Sequence, residues 1–490
     1  MVINFTPVHY IAIPLLAAFL IPLIAKVSKN SVKFVPGIVL LYLSYVSFTL
    51  FPIAINNPIV EVIAGWQPPF GITLVYGPLA AFLVSMITLI GFIIWLYSFR
   101  FIIREPIEKY YMLFLLLITG ATGIILTGDI FNLFVFLEIT AIAAYSLTAF
   151  LRDKDGAEAA FKYLLIGSFA STFILLAIAL LYAQTGTLNI ADIASKIDNV
   201  EMPIRIIILI LFTVGLGIEA ELFPLNGWAP DAYSQAPSPI GAVFGGIVVK
   251  AAIYAFMRLI FVLFNFESVF YFLVIMGVIT MIIAEMSAMQ QNQIKRMLAF
   301  SSIGQMGLVI IAFGIGTEPS VQAALFQMFN HAIIKVLLFL AAGYLVFHSG
   351  SKSISSLDGL GRDKPITSFF FALGALAIIG LPPFSGFWSK LYILISVAKA
   401  ELIAVVVLVL ISSVIEAVYY LRVVSRLYFY DENKEANVRR TPATGLIAMG
   451  ILAIVIVVVG LYPSAIMDVL KPAASELVNK AEYIRIALIK

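Results

Sequence analysis

Apolar residues run along this chain in stretches of about 20, the length an α-helix needs to cross the hydrocarbon core of a bilayer. About fourteen such stretches follow one another, centred near Leu16, Leu43, Val84, Leu117, Ile139, Leu175, Leu211, Val249, Val274, Ile310, Leu338, Leu376, Leu410 and Val455. Polar positions collect in the connections between them. The longest connections cover residues 56–77, 184–203, 223–239, 348–365 and 431–441, and none is large enough for a soluble domain. The pattern predicts an all-α polytopic membrane bundle of about fourteen transmembrane helices. Residues 1–25 lack a basic leading segment and a small-residue cleavage site, so they read as a retained first span.

The charges orient the bundle. With both termini placed outside, the inner connections hold Lys26, Lys29, Lys33, Arg100, Arg104, Lys109, Arg152, Lys154, Lys162, Lys295, Arg296, Lys352, Arg362, Lys364, Arg422, Arg426, Lys434, Arg439 and Arg440, which is 19 of the 30 basic residues. Eight fall outside, four of them in the C-terminal tail as Lys471, Lys480, Arg485 and Lys490. This is the asymmetry of the positive-inside rule. Only the connection after the seventh span has no basic residue. The expected location is the cell membrane, multi-pass.

Composition narrows the function. Hydrophobic residues make up 62% and charged residues 12%, against about 45–50% and about 25% in soluble chains. An ordinary soluble enzyme, a disordered chain and a coiled coil are excluded. A net charge of +3 offers no footprint for nucleic acid. With no cysteine and only His9, His331 and His348, the chain has no thiolate for zinc, iron–sulfur clusters or catalysis. No catalytic site, cofactor or metal is therefore expected in it, and redox centres of any associated system belong in other subunits. HExxH, GxSxG, Walker and dinucleotide fingerprints are absent.

Charge inside the bilayer is costly and points to function. Three lysines escape the loops: Lys250 lies mid-span in PIGAVFGGIVVKAAIYAFMRLIF, Lys335 in ALFQMFNHAIIKVLLFLAAG, and Lys390 just after GLPPFSGFWS. Glu138 lies mid-span in GDIFNLFVFLEITAIAAYS and suits proton handling. His331 and Lys335 share a helix face at i, i+4. The alternative readings are a carbonyl-bonded structural lysine for Lys250, a packing histidine for His331, and a snorkelling interfacial lysine for Lys390. Other charges fit the ordinary reading. Asp153, Asp155 and Glu158 flank inner-loop bases, Asp129 caps a helix start, and Glu285 is expected at the interface near the inner end of the ninth span.

Pro224 and Pro382–Pro383 interrupt the seventh and twelfth spans. In a membrane, freed backbone groups are tolerated only inside protein or beside a cavity. Glu219 and Glu221 precede the first break, and Lys390 follows the second. Five spans separate the breaks, so the broken helices run in opposite directions, as inverted repeats require. Spans four to eight then pair with spans nine to thirteen, and Lys250 corresponds to Glu416.

The segments TGDIFNLFVFLEITAIAAYSL, EAAFKYLLIGS, FPLNGWAPDAYSQAPSPI, QNQIKRMLAFSSIGQMG, FNHAIIKVLLFLAAG and GLPPFSGFWSK resemble the proton-conducting antiporter-like subunits. That family includes the large subunits of Mrp-type sodium/proton antiporters and membrane subunits of respiratory complex I and membrane-bound hydrogenases. The resemblance covers roughly residues 65–430. It implies fourteen helices, two inverted five-helix repeats, a polar axis along the membrane midplane, and partner subunits, some of them peripheral redox subunits. The implied organisation is 1–109 for helices one to three, 110–264 and 265–430 for the repeats, and 431–490 for helix fourteen and the tail. The resemblance implies a proton or ion pathway through Glu138, Lys250, His331, Lys335 and Lys390, with His331 and Lys335 on a broken eleventh helix. Glu221, Glu416 and Lys162 are secondary candidates.

Two departures stand out. The family's GIKA in the seventh helix is here Gly217-Ile218-Glu219-Ala220, so Glu138 is expected to face Glu219 on the pathway, with a proton shared or a cation held between them. The acid common before the third helix is missing from Val75-Tyr76-Gly77-Pro78-Leu79. The short C-terminus favours a chain like the D-type large subunit of Mrp antiporters or its hydrogenase counterpart. The resulting expectation is a proton or Na⁺/H⁺ translocating subunit of a multi-subunit energy-converting membrane complex. The rivals are a stand-alone transporter of a small solute or cation, a redox enzyme with its own quinone or metal site, and a passive scaffold.

Overall fold

The computed structural model describes residues 5–103, 105–430 and 440–488. Arg104, Lys434, Arg439 and Lys490, and most of the 431–441 connection, lie outside them. Among the described residues, thirteen helices are long and apolar enough to cross a membrane. The twelfth stretch is filled by two shorter helices, Pro365–Ile379 and Ser385–Lys399. All fourteen stretches are thus helical, and the protein is a multi-pass membrane protein.

Local chemistry marks the helix ends. Asp129 caps the fifth span (Ile130–Thr148) by accepting from the Asn132 amide at 2.7 Å, as expected. Asp153 does the same for the sixth span, Lys154–Thr185, which ends at Gly186 with φ +69°. Thr317 and Ser320 form a capping box at the start of the eleventh span, Glu318–Ser349. That span is one continuous helix of 32 residues. The expectation of a break in it fails, because it has no internal proline or helix-terminating glycine.

The connections sort onto two faces. On one, hereafter the terminal face, an antiparallel hairpin pairs Ile59–Val62 with Thr73–Tyr76 in the register Ile59↔Tyr76 to Val62↔Thr73. Leu74 bridges to Thr127, and Asp129 to Asn189. The C-terminal helices Pro463–Val478 and Lys480–Ala487 join this face through the Lys480–Asp198 ion pair at 3.0 Å. The opposite face gathers the basic connections: Lys162 and Arg296 both bond Asp231, Gln293 bridges to Ser353, and Arg426 pairs with Asp358.

Burial separates centre from rim. The eighth span (Ser238–Leu263) is wholly buried, and the tenth (Ile294–Gly314) and eleventh nearly so. Phe19, Phe48 and Val414 of outer spans are exposed, as lipid-facing residues must be. The ninth span (Glu267–Met289) packs closely on the tenth at Gly277, where a Cβ would fall 2.7 Å from the Gly307 carbonyl oxygen. The three most buried helices carry most of the intramembrane bases.

Candidate functional site

Three local irregularities position the polar side chains, and each frees backbone groups that find partners inside the protein. The eighth span contains a π-helical turn at Phe244–Val248, built around Gly245 and Gly246. The Gly245 carbonyl, released by this turn, accepts from Lys250 Nζ. The seventh span (Met202–Glu219) ends before Pro224 and resumes as the short helix Ala229–Gln235. Trp228 Nε1 donates to the Ile218 carbonyl at 3.1 Å, and the Phe223 amide donates to Thr280 Oγ1 at 3.1 Å. The twelfth span breaks between Ile379 and Ser385. Lys390 Nζ donates to the Ile379 carbonyl at 3.1 Å, and Asn330 Nδ2 donates to the Ser385 carbonyl at 3.1 Å.

At the first end of the resulting row, Ser171 donates to the Glu138 carboxylate. Glu138 is half-buried in the middle of the fifth span, and Glu219 is buried at the end of the seventh. The Glu138 carboxylate acts electrostatically on Glu219, and both act on Tyr145. Glu138 bonds Ser171 and not Glu219, so the pair communicates through space. Glu221 lies in the break itself, at φ +61° and buried. The Tyr233 hydroxyl donates to its Oε1 at 2.6 Å, while Oε2 has no hydrogen-bond partner. The charges of Lys250 and Lys335 act on Glu221.

The centre of the row joins the eighth, tenth and eleventh spans. Lys250 Nζ bonds His331 Nδ1, and His331 Nε2 faces Ser302 Oγ at 3.2 Å. When Lys250 is an ammonium, Nδ1 must accept and the histidine proton sits on Nε2. One turn along, Lys335 Nζ donates to Ser301 Oγ at 2.7 Å, Tyr420 Oη at 2.9 Å and the Leu298 carbonyl at 3.1 Å. Lys250, His331 and Lys335 are all completely buried. Both ring nitrogens of His331 thus have partners, one of them the Lys250 amine.

At the far end, Lys390 Nζ pairs with Glu416 Oε2 at 2.5 Å, both groups buried. This bond replaces the snorkelling reading of Lys390. Gln305 Nε2 donates to Glu416 Oε1 at 2.8 Å, Gln327 Nε2 donates to Gln305 Oε1 at 2.6 Å, and Ser389 Oγ donates to Gln327 Oε1 at 2.5 Å. Glu285 is not interfacial. It is 1% exposed and accepts from the Tyr419 hydroxyl at 2.7 Å. Gly304, which a Cβ would drive into the Glu285 carboxylate, makes its space. The ninth span continues past Glu285 to Met289, and Tyr419 comes from the thirteenth span (Ile403–Phe429), so only the fold reveals the contact.

Lys162 stands apart from the row. It is exposed on the basic face, paired with Glu158 at 2.8 Å and Asp231 at 3.1 Å. With Arg296 and Gln235 it lines a cavity of about 290 Å³ that opens there. The acid missing from residues 75–79 is replaced from the other end of the chain. Glu476 of the helix Pro463–Val478 accepts from the Leu79 amide at 2.8 Å through Oε2.

The row thus sets ionisable groups of the fifth to thirteenth spans within electrostatic reach of one another. The family described as NADH:quinone oxidoreductase/Mrp antiporter, TM, matches residues 127–416, which hold all nine residues singled out from sequence. NADH-quinone oxidoreductase subunit N of Desulforudis audaxviator is 33% identical over 485 residues, covering 94% of this chain and 97% of that one. The D-type subunit of the Na⁺/H⁺ antiporter of Alkalihalophilus pseudofirmus is 34% identical over 346 residues, 70% of each chain. A chain of the membrane-bound sulfane sulfur reductase, an archaeal respiratory membrane complex, superposes with a TM-score of 0.93 at 40% identity, over 98% of this chain and 100% of that one. The row of buried carboxylates, lysines and histidine is thus carried by a chain that belongs to the NADH:quinone oxidoreductase/Mrp antiporter transmembrane family.

Proposed function

We propose that this chain is an ion-translocating, antiporter-like subunit of a multi-subunit energy-converting membrane complex, and that protons move along its buried row. The observation that carries this reading is the gathering of ionisable groups into one row inside the protein. Lys250 bonds His331, which faces Ser302; Lys335 bonds Ser301 and Tyr420; Lys390 bonds Glu416, from which Gln305 and Gln327 continue. Glu138, Glu219, Glu221 and Glu285 join these bonded groups through electrostatics across the gaps between them. A scaffold has no use for so many buried ionisable groups, each costly in a bilayer.

The mechanism follows from coupling between neighbours. A proton gained or lost at one site changes the stability of charge at the next. Lys250 and His331 share one hydrogen bond, so a proton passes from Nζ to Nδ1 without large motion, and the one on Nε2 is free to leave toward Ser302. Lys335 is poised in the same way against Ser301 and Tyr420. Protons enter the first repeat from the basic face, which is the inner side, and leave outside through the second, past Lys390 and Glu416. Both termini then lie outside the cell membrane. The repeats are residues 110–264 and 265–430, and the two broken spans support that pairing. The Glu138–Glu219 carboxylate pair is where Na⁺ would enter the exchange.

Half-buried Glu138 supports a partner at that flank, because a carboxylate open to lipid at mid-span is costly. Redox centres, in a redox-driven complex, reside in partner subunits. The test is reconstitution of the purified complex into liposomes with H⁺ and Na⁺ movements followed separately. Proton movement that requires this subunit supports the reading. Transport of a small solute by the isolated chain, or no ion movement by the energised complex, contradicts it.

A further inference from the structure

The eighth span carries a second buried charge that the row does not use. Arg258 lies eight residues beyond Lys250, about 12 Å nearer the terminal face at 1.5 Å per residue. Tyr254 lies halfway, so the three side chains form one stripe at i, i+4, i+8. Arg258 counts by position among the eight outer bases, yet it is only 2% exposed. Its Nη2 donates to Glu476 Oε1 at 2.6 Å, and its Nε lies 3.4 Å from the Tyr254 hydroxyl. Nη1 has no hydrogen-bond partner. The guanidinium sits over the rings of Tyr483 and Tyr254, 4.6 and 5.4 Å from their centroids. Tyr254 in turn donates to the Ile125 carbonyl at 2.9 Å.

Glu476 carries the stripe to the wall of a surface cavity. The cavity, of about 210 Å³, opens on the terminal face and is lined by Glu476 with Asn56, Pro78, Ser475, Asn479 and Glu482. A polar stripe therefore leads from this cavity to Lys250, the midpoint of the row. Its first member is a carboxylate, which attracts cations. Its second is a guanidinium, which stays charged and cannot hand on a proton.

We propose that Arg258, held by Glu476, is an electrostatic stop that seals the first half of the row from the terminal face. This rests on the ion-translocation reading above. A fixed buried cation excludes protons and metal cations from a path that is otherwise polar enough to admit them. Without it, charge arriving at Lys250 would escape through Tyr254 into the cavity and bypass the second half of the row. The C-terminal helix Pro463–Val478 thus has a task beyond packing: it brings the carboxylate that holds the stop in place and leaves the guanidinium facing inward.

The test uses the intact complex in pyranine-loaded liposomes, without an energy source, with an acid jump at a potassium–valinomycin clamped potential. Arg258→Met/Glu476→Met removes both charges and keeps the volume. Arg258→Gln keeps a donor for Glu476. Each should raise the passive proton leak about tenfold, equivalent to about 1.4 kcal/mol off the barrier. Glu476→Gln, which leaves the guanidinium, should stay as tight as wild type. Adding Tyr254→Phe to Arg258→Gln should return the leak to baseline, an effect that loosened packing would not give. Wild-type tightness in either assembled Arg258 variant, or a leak that persists with Tyr254→Phe, overturns the stop. If the wild-type complex moves ions when energised and these variants do not leak, only the stop fails. If the wild type moves no ions, the reading of the row fails.

Discussion

Lys390 and Glu416 give a prediction whose size can be worked from the structure. Their charged atoms are 2.5 Å apart and both side chains are buried. The Coulomb attraction at that separation is about 6–7 kcal/mol at an effective dielectric constant of about 20. Desolvation of the two ions offsets most of it, at several kcal/mol each. The net worth of the pair is therefore small, but the cost of breaking it is not. Lys390→Met leaves Glu416 with only the Gln305 amide, and Glu416→Leu leaves Lys390 with only the Ile379 carbonyl. Each single variant should lose about 3–5 kcal/mol of stability, the cost of a buried charge without its partner. The double variant Lys390→Met/Glu416→Leu should lose much less than the sum, giving a coupling of about 3 kcal/mol or more. Denaturant midpoints of the purified complex, with ion translocation measured on the same preparations, check this. Translocation should be lost in all three variants, including the stable double. Stability losses that add to within about 0.5 kcal/mol would refute the pairing, and a double variant that still translocates would refute its role in the path.

Other outcomes follow from single contacts. Glu219→Lys should keep the fold and change ion coupling, read as a shift in sodium dependence of proton movement; unchanged coupling would sink the role of the carboxylate pair. Tyr233→Phe removes the one hydrogen bond to Glu221 Oε1 and leaves a buried carboxylate unsatisfied, at about 1–3 kcal/mol; proton turnover should fall about tenfold with assembly intact, and an unchanged rate would remove Glu221 from the path. Gly277→Ala places a Cβ 2.7 Å from the Gly307 carbonyl oxygen and should cost about 1–3 kcal/mol through forced separation of the ninth and tenth spans; a complex of wild-type thermal stability would contradict that packing.

Most of the bundle was legible because membrane insertion writes itself into composition. Helices facing lipid must be apolar, so spans appear as stretches, and bases outside them mark the loops. The same contrast exposed Lys250, Lys335 and Lys390, which stand in apolar surroundings. The prolines at 224 and 382–383 announced their breaks, since a missing donor leaves a trace in sequence. The π-helical turn before Lys250 left only a glycine pair, which could equally serve helix packing. Glu285 looked interfacial because its depth depends on the tilt and neighbours of the ninth span, and its partner Tyr419 lies 134 residues away. The Arg258–Glu476 pair spans 218 residues and joins a span to the tail, so no local pattern could reveal it. The eleventh helix went the other way. Its expected break came from resemblance, and its own residues favour continuity.

In the proposed path, charge moves through the bond between Lys250 and His331. The direct measurement is translocation by the reconstituted complex bearing Lys250→Met or His331→Phe, at unchanged assembly, compared with Lys162→Met at the rim. Proton movement should fall at least about tenfold in the first two, a barrier increase of about 1.4 kcal/mol or more, and only modestly in the third. Full proton movement through an assembled complex that lacks either Lys250 or His331 would contradict that path.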